Sequence, residues 1–229
     1  MTEIVKPRMD ILPMPQQRLW PNLRAVTNLG YVLYGGTAIA LRLGHRQSVD
    51  FDFFTEGILD KGVLRAALPF LEKSTVLQDQ PGTYTVLVTI DAMEPVVKLS
   101  FFGGIDFGRV GEPSVTEDRT LQLAALDDLM ATKLKVILQR IESRDYWDVA
   151  AMIDAGVSLE KGLAAARELF GPAFQPSEAL KALTYFEGGD LSVLSVHERG
   201  ILVTAASRVR GLPQLKLKAR RLSITPTGE

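Results

Sequence analysis

The feature that most constrains this chain is the continuous run over residues 31–56, YVLYGGTAIALRLGHRQSVDFDFFTE. Its opening residues, 31–34, form an apolar run that is typical of a buried strand. Gly35 and Gly36 interrupt this run, and apolar residues then recur at helical spacing over 37–43. The pattern predicts a strand, a glycine turn and a helix in immediate succession.

A second strand is predicted over residues 49–54, and it carries two acidic residues. Asp50 and Asp52 are separated by one residue, so their side chains share one face of the strand, while Phe51 and Phe53 share the other. Neighbouring carboxylates repel each other, and a fold tolerates them most readily when a divalent cation lies between them. Hard oxygen ligands favour Mg²⁺. The strand therefore predicts a magnesium site.

The glycine turn adds a candidate phosphate site beside these carboxylates. Free backbone N–H groups and the positive end of a helix dipole together attract a phosphate. Taken singly, Gly35 and Gly36 fit an ordinary tight turn, and the Asp-x-Asp pair fits a solvated strand edge. Their combination predicts adjacent phosphate and metal sites, as phosphoryl transfer requires.

The segment GGTAIALRLGHRQSVDFDFF, which begins at Gly35, resembles the signature of the abortive-infection nucleotidyltransferase toxins. These AbiEii/AbiGii-like proteins, which include the MenT-like enzymes, are a branch of the polymerase-beta-like nucleotidyltransferases. The resemblance continues near Lys133 and through RDYWD at 144–148, so it covers roughly residues 16 to 155. It implies an α+β fold, in which a polymerase-beta-like mixed sheet with flanking helices is followed by a C-terminal helical bundle.

The order of predicted elements agrees with that architecture. We expect a nucleotidyltransferase core over residues 1–116 and a helical domain over 117–229 that contributes to the active-site cleft. In the core, Pro21 should disturb an early helix and Asp60 should cap a helix that runs to about residue 72. The other predicted elements are strands at 75–78, 84–90 and 95–102, a loop and short edge strand over 103–116, and helices at 127–139 (capped by Asp127 or Asp128), 143–155, 159–170, 177–187 and 195–210.

Composition excludes several other classes of site. The 229 residues are 46% hydrophobic and 23% charged, which is ordinary for a globular protein. No cysteine is present, so disulfides and thiolate metal sites are excluded, and two histidines make a zinc site improbable. We find no signal peptide at the N-terminus and no apolar run near the ~20 residues that span a bilayer. We therefore expect a cytoplasmic protein without membrane association.

The resemblance assigns nucleotide-binding roles to five residues. It implies that Gly35, Gly36 and Thr37 position the triphosphate with backbone amides and a hydroxyl. Arg46 and Ser48 precede the carboxylates and match the Arg-x-Ser-x-Asp spacing of the family. A guanidinium at Arg46 could hold a phosphate through two hydrogen bonds.

The helical half contributes two further site residues by the same resemblance. Lys133 is followed seven positions later by Arg140, as in the family, although Lys135 is a plausible alternative. Asp145 and Asp148 lie three residues apart on one face of the next helix. We interpret Asp145 as a salt-bridged structural acid and Asp148 as the site residue, while either acid could orient Lys133 or supply a further carboxylate to the site.

The strand over residues 95–102 departs from the wider superfamily. Polymerase-beta-like enzymes commonly carry a third carboxylate on such a strand, close to the first two. Ser100 occupies the position where we would expect that acid. This substitution puts a three-carboxylate, two-metal site in doubt.

These observations predict a Mg²⁺-dependent nucleotidyltransferase, the toxin of a toxin–antitoxin pair, with Asp50, Asp52, Lys133 and Asp148 as catalytic residues. It would transfer a nucleoside monophosphate from an NTP to an RNA acceptor, such as the 3′ end of a tRNA, or to a protein. A cognate antitoxin is the expected partner. Two alternatives stay open: a silent module that binds a nucleotide or a protein, which Ser100 favours, and a metal-dependent phosphohydrolase, which the scarcity of histidine disfavours.

A basic segment lies near the C-terminus, although the net charge of the chain is only -1. Between Ser207 and Ile224 there are six cations and no acidic residue. We expect this segment to hold an RNA acceptor by its phosphates, or alternatively to be solvated or to contact an acidic antitoxin. Its cations are Arg208, Arg210, Lys216, Lys218, Arg220 and Arg221.

Overall fold

The computed structural model describes residues 2–224, which form two compact units. The first unit contains the chain up to Gly108, the segment Glu112–Ala124 and the residues from Ala219 onward. The second unit contains Arg109–Gly111 and Ala125–Lys218. The sheet unit therefore continues beyond residue 116, and the end of the described chain returns to it.

The first unit is built on a mixed sheet, to which the described residues contribute eight strands in the order β1-β7-β8-β2-β3-β6-β5-β4. The strand β2 pairs antiparallel with β3, and β3 pairs parallel with β6. The strands are β1 (Ile4–Val5), β2 (Val32–Tyr34), β3 (Asp50–Phe54), β4 (Thr75–Gln80), β5 (Thr83–Val88), β6 (Val97–Phe102), β7 (Ser114–Thr116) and β8 (Gln122–Leu123).

Prolines interrupt the helices of this unit. The predicted early helix is split into α1 (Met14–Leu19) and α2 (Arg24–Asn28) by a 3-10 segment that contains Pro21. The helix α3 (Gly35–Leu43) begins at the two glycines, so they form its first turn. The last helix, α4 (Lys61–Ala67), ends before Pro69, because a proline lacks the N–H that would continue the helix. It is shorter than the predicted helix to about residue 72.

One face of the sheet forms the core of the first unit. Phe51, Phe53, Leu99 and Phe101 on β3 and β6 are fully buried. The Phe53 and Phe101 rings are stacked, with their centroids 5.5 Å apart. Burial of each such side chain stabilises the fold by about 1.5–3 kcal/mol. This burial fixes the strand register and directs the alternate residues, including Asp50 and Asp52, to the opposite face.

The end of the sheet beyond β2 differs from the prediction. We expected an edge strand within 103–116, but β1 covers β7 in parallel, with Ile4 paired to Val115. The strand β8 lies beside β2, where Leu33 pairs with Leu123. The expected edge is therefore internal, because the N-terminal segment adds the outermost strand.

The second unit is helical, and its elements follow the predicted spans closely. However, the N-cap of its first helix is Ala125, so the prediction that Asp127 or Asp128 caps this helix is wrong. Both acids lie instead in its first turn, and the helix ends at Val136 rather than near residue 139. The helices are α5 (Leu126–Val136), α6 (Ser143–Asp154), α7 (Leu159–Phe170), α8 (Pro176–Thr184) and α9 (Val196–Arg208).

The predicted N-cap of α4 is confirmed. The Asp60 side chain caps α4 by accepting a hydrogen bond of 3.0 Å from the Val63 backbone N–H. The strands β5 and β6 pair antiparallel, with Thr85 opposite Ser100. Within residues 2–224, no helix is both long enough and apolar enough to cross a membrane.

Candidate active site

Asp50 and Asp52 project from the face of β3 opposite the core. Both are half-buried, whereas Phe51 and Phe53, which alternate with them along the strand, are fully buried. The alternation expected of a strand that buries one face is therefore present in full. Two carboxylates lie side by side on the same surface of the sheet unit.

The strand register identifies the neighbours of this pair. In the parallel pairing of β3 with β6, Asp50 lies beside Lys98 and Asp52 beside Ser100. Paired residues of adjacent strands project to the same face. The register thus confirms that Ser100 occupies a position next to the carboxylates. Among the described residues, no group of three or more His, Cys, Asp or Glu side chains is arranged to hold a metal ion.

Gly35 allows the glycine turn to approach Asp52. Its φ is +71°, and a Cβ atom at this position would lie 2.7 Å from the Oδ2 atom of Asp52. Both the backbone conformation and the close approach therefore require glycine. The turn predicted from the sequence and the predicted metal ligand are in direct proximity within one unit.

The N-terminus of α3 begins at this turn. Its N-cap residue, Tyr34, provides no side-chain hydrogen bond to the first turn. The first N–H groups of a helix lack partners within the helix, and they carry the positive end of its dipole. The start of α3 is therefore suited to bind an anion such as a phosphate.

Thr37 and Ser48 fasten α3 to β3. The Thr37 hydroxyl donates a hydrogen bond to the backbone carbonyl of Asp50. Its oxygen lies 2.6 Å from the Ser48 hydroxyl, which must be the donor of that bond because Thr37 has only one proton to give. Both residues are buried. Their side chains thus fix the position of the carboxylate strand relative to the helix.

Arg46 lies in the loop between α3 and β3. It is half-buried, and its Nη1 donates a hydrogen bond of 2.9 Å to the backbone carbonyl of Gln47. The side chain is thus held near the start of β3. This location is compatible with the phosphate-binding role that the sequence predicts.

The second unit contains a buried cluster of charges around Lys133. The Nζ atom of Lys133 lies 2.7 Å from Oδ1 of Asp145 and 2.6 Å from Oδ2 of Asp148. The exposed fraction is 7% for the lysine side chain and 0% for both aspartates. Arg140 completes the cluster, because its Nε donates to Oδ2 of Asp145 at 2.8 Å.

The cluster keeps Asp145 ionised despite its burial. Burial raises the pKa of Asp145, but the Arg140 hydrogen bond and the Lys133 charge outweigh it and hold that pKa below its ordinary value. The prediction that Asp145 is salt-bridged is confirmed. Arg140 lies beyond the end of α5, so it does not share a helix face with Lys133; the two cations converge because both bind Asp145.

Lys135, the alternative to Lys133, has a different environment. Its Nζ donates a hydrogen bond of 2.6 Å to the backbone carbonyl of Ala173. No described contact joins it to the Asp145 and Asp148 carboxylates. The two lysines are therefore distinguishable by mutation.

The comparison with protein families decides the assignment. Residues 24–187 match the model described as nucleotidyl transferase AbiEii toxin, type IV TA system. The chain belongs to the AbiEii family. The family predicted from the glycine turn and the Asp-x-Asp strand is thus confirmed, and the matched region contains all of the candidate site residues, from Gly35 to Asp148.

Solved structures related to this AbiEii protein show the same fold. A candidate nucleotidyltransferase from H. pylori has a TM-score of 0.56 at 19% identity, over 85% of this chain and 92% of that one. JHP933 from Helicobacter pylori has a TM-score of 0.55 at 22% identity, over 86% of this chain and 92% of that one. The predicted α+β class, with a mixed sheet, flanking helices and a helical C-terminal region, is confirmed.

A sequence relative covers less of the molecule. The uncharacterized protein aq_aa25 of Aquifex aeolicus (strain VF5) is 31% identical over 133 residues. The aligned part is 56% of this chain and 61% of that relative, so the chain spans less than two-thirds of the relative's length.

The sequence interpretation of this AbiEii protein missed one residue on the sheet face that carries Asp50 and Asp52. The Nζ atom of Lys98 lies 3.6 Å from Oδ2 of Asp50. A signal for it was available, since Lys98 precedes Ser100 by two residues and so shares its face of β6. Placing Ser100 beside Asp52 should also have placed Lys98 beside Asp50.

Proposed function

We propose that the chain is a Mg²⁺-dependent nucleotidyltransferase that uses an NTP and acts as the toxin of a toxin–antitoxin pair. The observation that carries the proposal is the proximity of Gly35 to Asp52, with the start of α3 beside the carboxylate strand. A phosphate-binding helix start and a metal-binding pair thus belong to one surface of the sheet unit. Membership of the AbiEii toxin family supports the assignment to a toxin–antitoxin system.

In the proposed site, Asp50 and Asp52 would hold the metal. Two adjacent carboxylates that share a face fit the oxygen ligands that Mg²⁺ prefers. The bound metal would neutralise charge on the triphosphate and stabilise charge that develops during transfer. Backbone N–H groups from Gly35 to Thr37 would bind phosphate oxygens, and the Arg46 guanidinium would add positive charge.

The proposed reaction joins an acceptor hydroxyl to the α-phosphorus of the NTP. The bond from that phosphorus to the bridging oxygen breaks, pyrophosphate leaves with the electron pair, and the hydroxyl proton passes to water. The side chains of Thr37 and Ser48 act by positioning, because they hold the start of α3 against the carboxylate strand.

We include Lys133 and Asp148 in the proposed site because they match the family pattern. Their direct contact of 2.6 Å supports a role for Asp148 in orienting the Lys133 ammonium group. Asp145 also binds this ammonium group, but it is shared with Arg140, which favours a structural role.

The acceptor in this proposal is an RNA, such as the 3′ end of a tRNA, and a protein acceptor is the other candidate. The basic segment near the C-terminus supports RNA, since phosphate contacts dominate nucleic-acid affinity. A cytoplasmic location and an antitoxin partner accord with this activity and with the family.

The test is to incubate the protein with each labelled NTP, Mg²⁺ and total RNA, and to identify which macromolecule becomes labelled. We expect RNA to be labelled by the parent protein but not by Asp52→Asn, which removes one metal ligand while keeping the side-chain shape. The loss should exceed a hundredfold, because electrostatic stabilisation contributes about 3–4 kcal/mol or more to such reactions. Unchanged labelling by a folded Asp52→Asn variant would contradict the mechanism.

A silent nucleotide-binding module is the second candidate, because Ser100 stands where a third acid is expected. Such a module would bind NTP without transferring any part of it. Equilibrium binding of labelled NTP with no labelled product, across RNA and protein acceptors, would favour this alternative.

A further inference from the structure

Lys98 is the cation that the strand register places beside the carboxylate pair. Its Nζ lies 3.6 Å from Oδ2 of Asp50, and the side chains of Lys98 and Asp50 are 40% and 27% exposed. An exposed ion pair of this kind contributes little to folding stability. The location of Lys98 therefore calls for an explanation other than stability.

The charges on this face of the sheet are few. Among the described residues of β2, β3, β5 and β6 that the register directs to this face, Asp50, Asp52 and Lys98 are the charged ones. The positions next to Asp52 in β6 and β5 are held by Ser100 and Thr85, which have neutral hydroxyls. The residues of these four strands thus give the face a net charge of one negative unit before any ligand binds.

We propose that this carboxylate pair binds a single divalent cation and that the Lys98 ammonium group takes the place of a second one. The inference rests on the proposed function, because it concerns the metal and triphosphate of that site. At the position beside Asp52 the protein offers a second cation no further carboxylate, because Ser100 is neutral. The fixed charge of Lys98 would also repel a second cation near Asp50. Lys98 is therefore a positioning residue that sets the number and affinity of bound metal ions.

The experiment is a titration with Mn²⁺, in which electron paramagnetic resonance measures free Mn²⁺ and so gives the number bound. Each chain is titrated alone and with an NTP analogue that has a methylene group between its α- and β-phosphates. We expect the parent to bind one Mn²⁺ per chain. The Lys98→Met variant should bind Mn²⁺ roughly tenfold more tightly without the analogue, because a repulsive charge is removed. Lys98→Arg should behave as the parent.

Two further variants test the specificity of this result. Lys61→Met is the matched control, since Lys61 forms a partly exposed ion pair with Asp79 in the same unit and its removal changes net charge equally. It should leave Mn²⁺ binding unchanged. A Lys98→Met/Ser100→Asp double variant, checked for folding by circular dichroism, should bind a second Mn²⁺ with the analogue. If this variant does not fold, the affinity of Lys98→Met still decides the matter.

The outcomes separate the two proposals. Two Mn²⁺ ions per parent chain, or equal affinities for the parent and Lys98→Met, would overturn the role of Lys98 and leave the proposed function standing. Absence of Mn²⁺ and analogue binding by the folded parent would overturn both. One bound ion in the parent with tighter binding by Lys98→Met, and not by Lys61→Met, would establish the inference.

Discussion

The Oδ2 atom of Asp52 lies 2.7 Å from the point that a Cβ atom on Gly35 would occupy. A carboxylate on β3 and the first residue of α3 thus lie in contact, although seventeen positions separate them in the sequence. Any side chain at Gly35 would have to displace the carboxylate. The identity of Gly35 is therefore linked to the chemistry of Asp52 and not only to the turn.

We expect Gly35→Ala to weaken Mn²⁺ binding by roughly tenfold or more, because one of two ligands is displaced. Gly104→Ala is the matched control. Gly104 has nearly the same φ, +70°, but nothing lies within 4 Å of its Cβ position. Both variants should lose about 1–2 kcal/mol of stability from the left-handed backbone. Equal Mn²⁺ affinities for the two variants would show that the contact with Asp52 has no functional consequence.

The second prediction concerns Lys133 and Lys135. Lys133→Ala should lower transfer activity more than Lys135→Ala, but it should also destabilise the helical unit. Its removal takes the Lys133 ammonium group away from two fully buried carboxylates, a loss that costs about 3–5 kcal/mol in comparable sites. For a chain of this size, that loss lowers Tm by roughly 6–20 °C.

Activity must therefore be measured well below the Tm of each variant and normalised to the folded fraction. Lys135→Ala is the control, because its Nζ binds only a backbone carbonyl among the contacts described for it. If activity per folded molecule is the same for both variants, Lys133 is structural and the predicted catalytic role is wrong.

The parts of this fold that were predictable from the sequence are those fixed by local patterns. The alternation in β3 directs Asp50 and Asp52 away from the core, and the Asp60 cap follows from side-chain chemistry at a helix start. The break near Pro21 follows from the missing N–H of proline. Each of these signals spans only a few residues.

The parts that were not predictable depend on pairing between distant segments. The parallel pairing of β1 with β7, and the insertion of β8 beside β2, involve residues about 90 to 110 positions apart. Sequence periodicity carries no information about which strands pair. The contact of Lys98 with Asp50 also depends on long-range pairing, here the register between β3 and β6. The sequence by itself indicates only that Lys98 shares one face of its strand with Ser100.

The third prediction concerns pH and Asp128. Asp128 is buried and accepts hydrogen bonds from the backbone N–H groups of Val110 at 2.8 Å and Gly111 at 3.0 Å. Burial raises its pKa to about 6, although these hydrogen bonds act in the opposite direction. Since the unfolded value is about 3.9, the folded chain retains a proton between these two pH values that the unfolded chain has released.

The contribution of Asp128 to stability is therefore largest below pH ~4 and is lost as the pH rises through ~6. The expected change is on the order of 2–3 kcal/mol. Urea denaturation of the parent and of Asp128→Asn from pH 4 to 7 measures this change in stability. The difference between the two proteins isolates Asp128, because other carboxylates such as Asp145 titrate equally in both. The stability difference between the two should shift by this amount in favour of Asp128→Asn as the pH rises. A difference that is independent of pH would contradict the prediction.

The fourth prediction concerns the basic segment and RNA. Lys216, Lys218 and Arg220 are exposed and alternate along an extended stretch of chain. In contrast, the Nε atom of Arg221 lies 3.7 Å from Oε1 of Glu56, and the neighbouring Leu222 is fully buried. The structure therefore favours Lys216, Lys218 and Arg220 as phosphate contacts and Arg221 as part of an anchor.

Replacing Lys216, Lys218 and Arg220 together with glutamine should weaken binding to full-length acceptor RNA. The slope of log affinity against log salt concentration should fall by about 2–3, since each phosphate contact contributes about 0.7–0.9. Replacement of three exposed lysines elsewhere, Lys6, Lys73 and Lys181, alters net charge equally and should leave the slope nearly unchanged. Transfer to a minimal acceptor that is too short to reach the basic segment should be the same in all three proteins, because neither set of replaced cations belongs to the proposed catalytic residues. If both triple variants reduce the slope equally, the effect reflects net charge alone, and solvation or an acidic antitoxin surface becomes the better explanation for these cations.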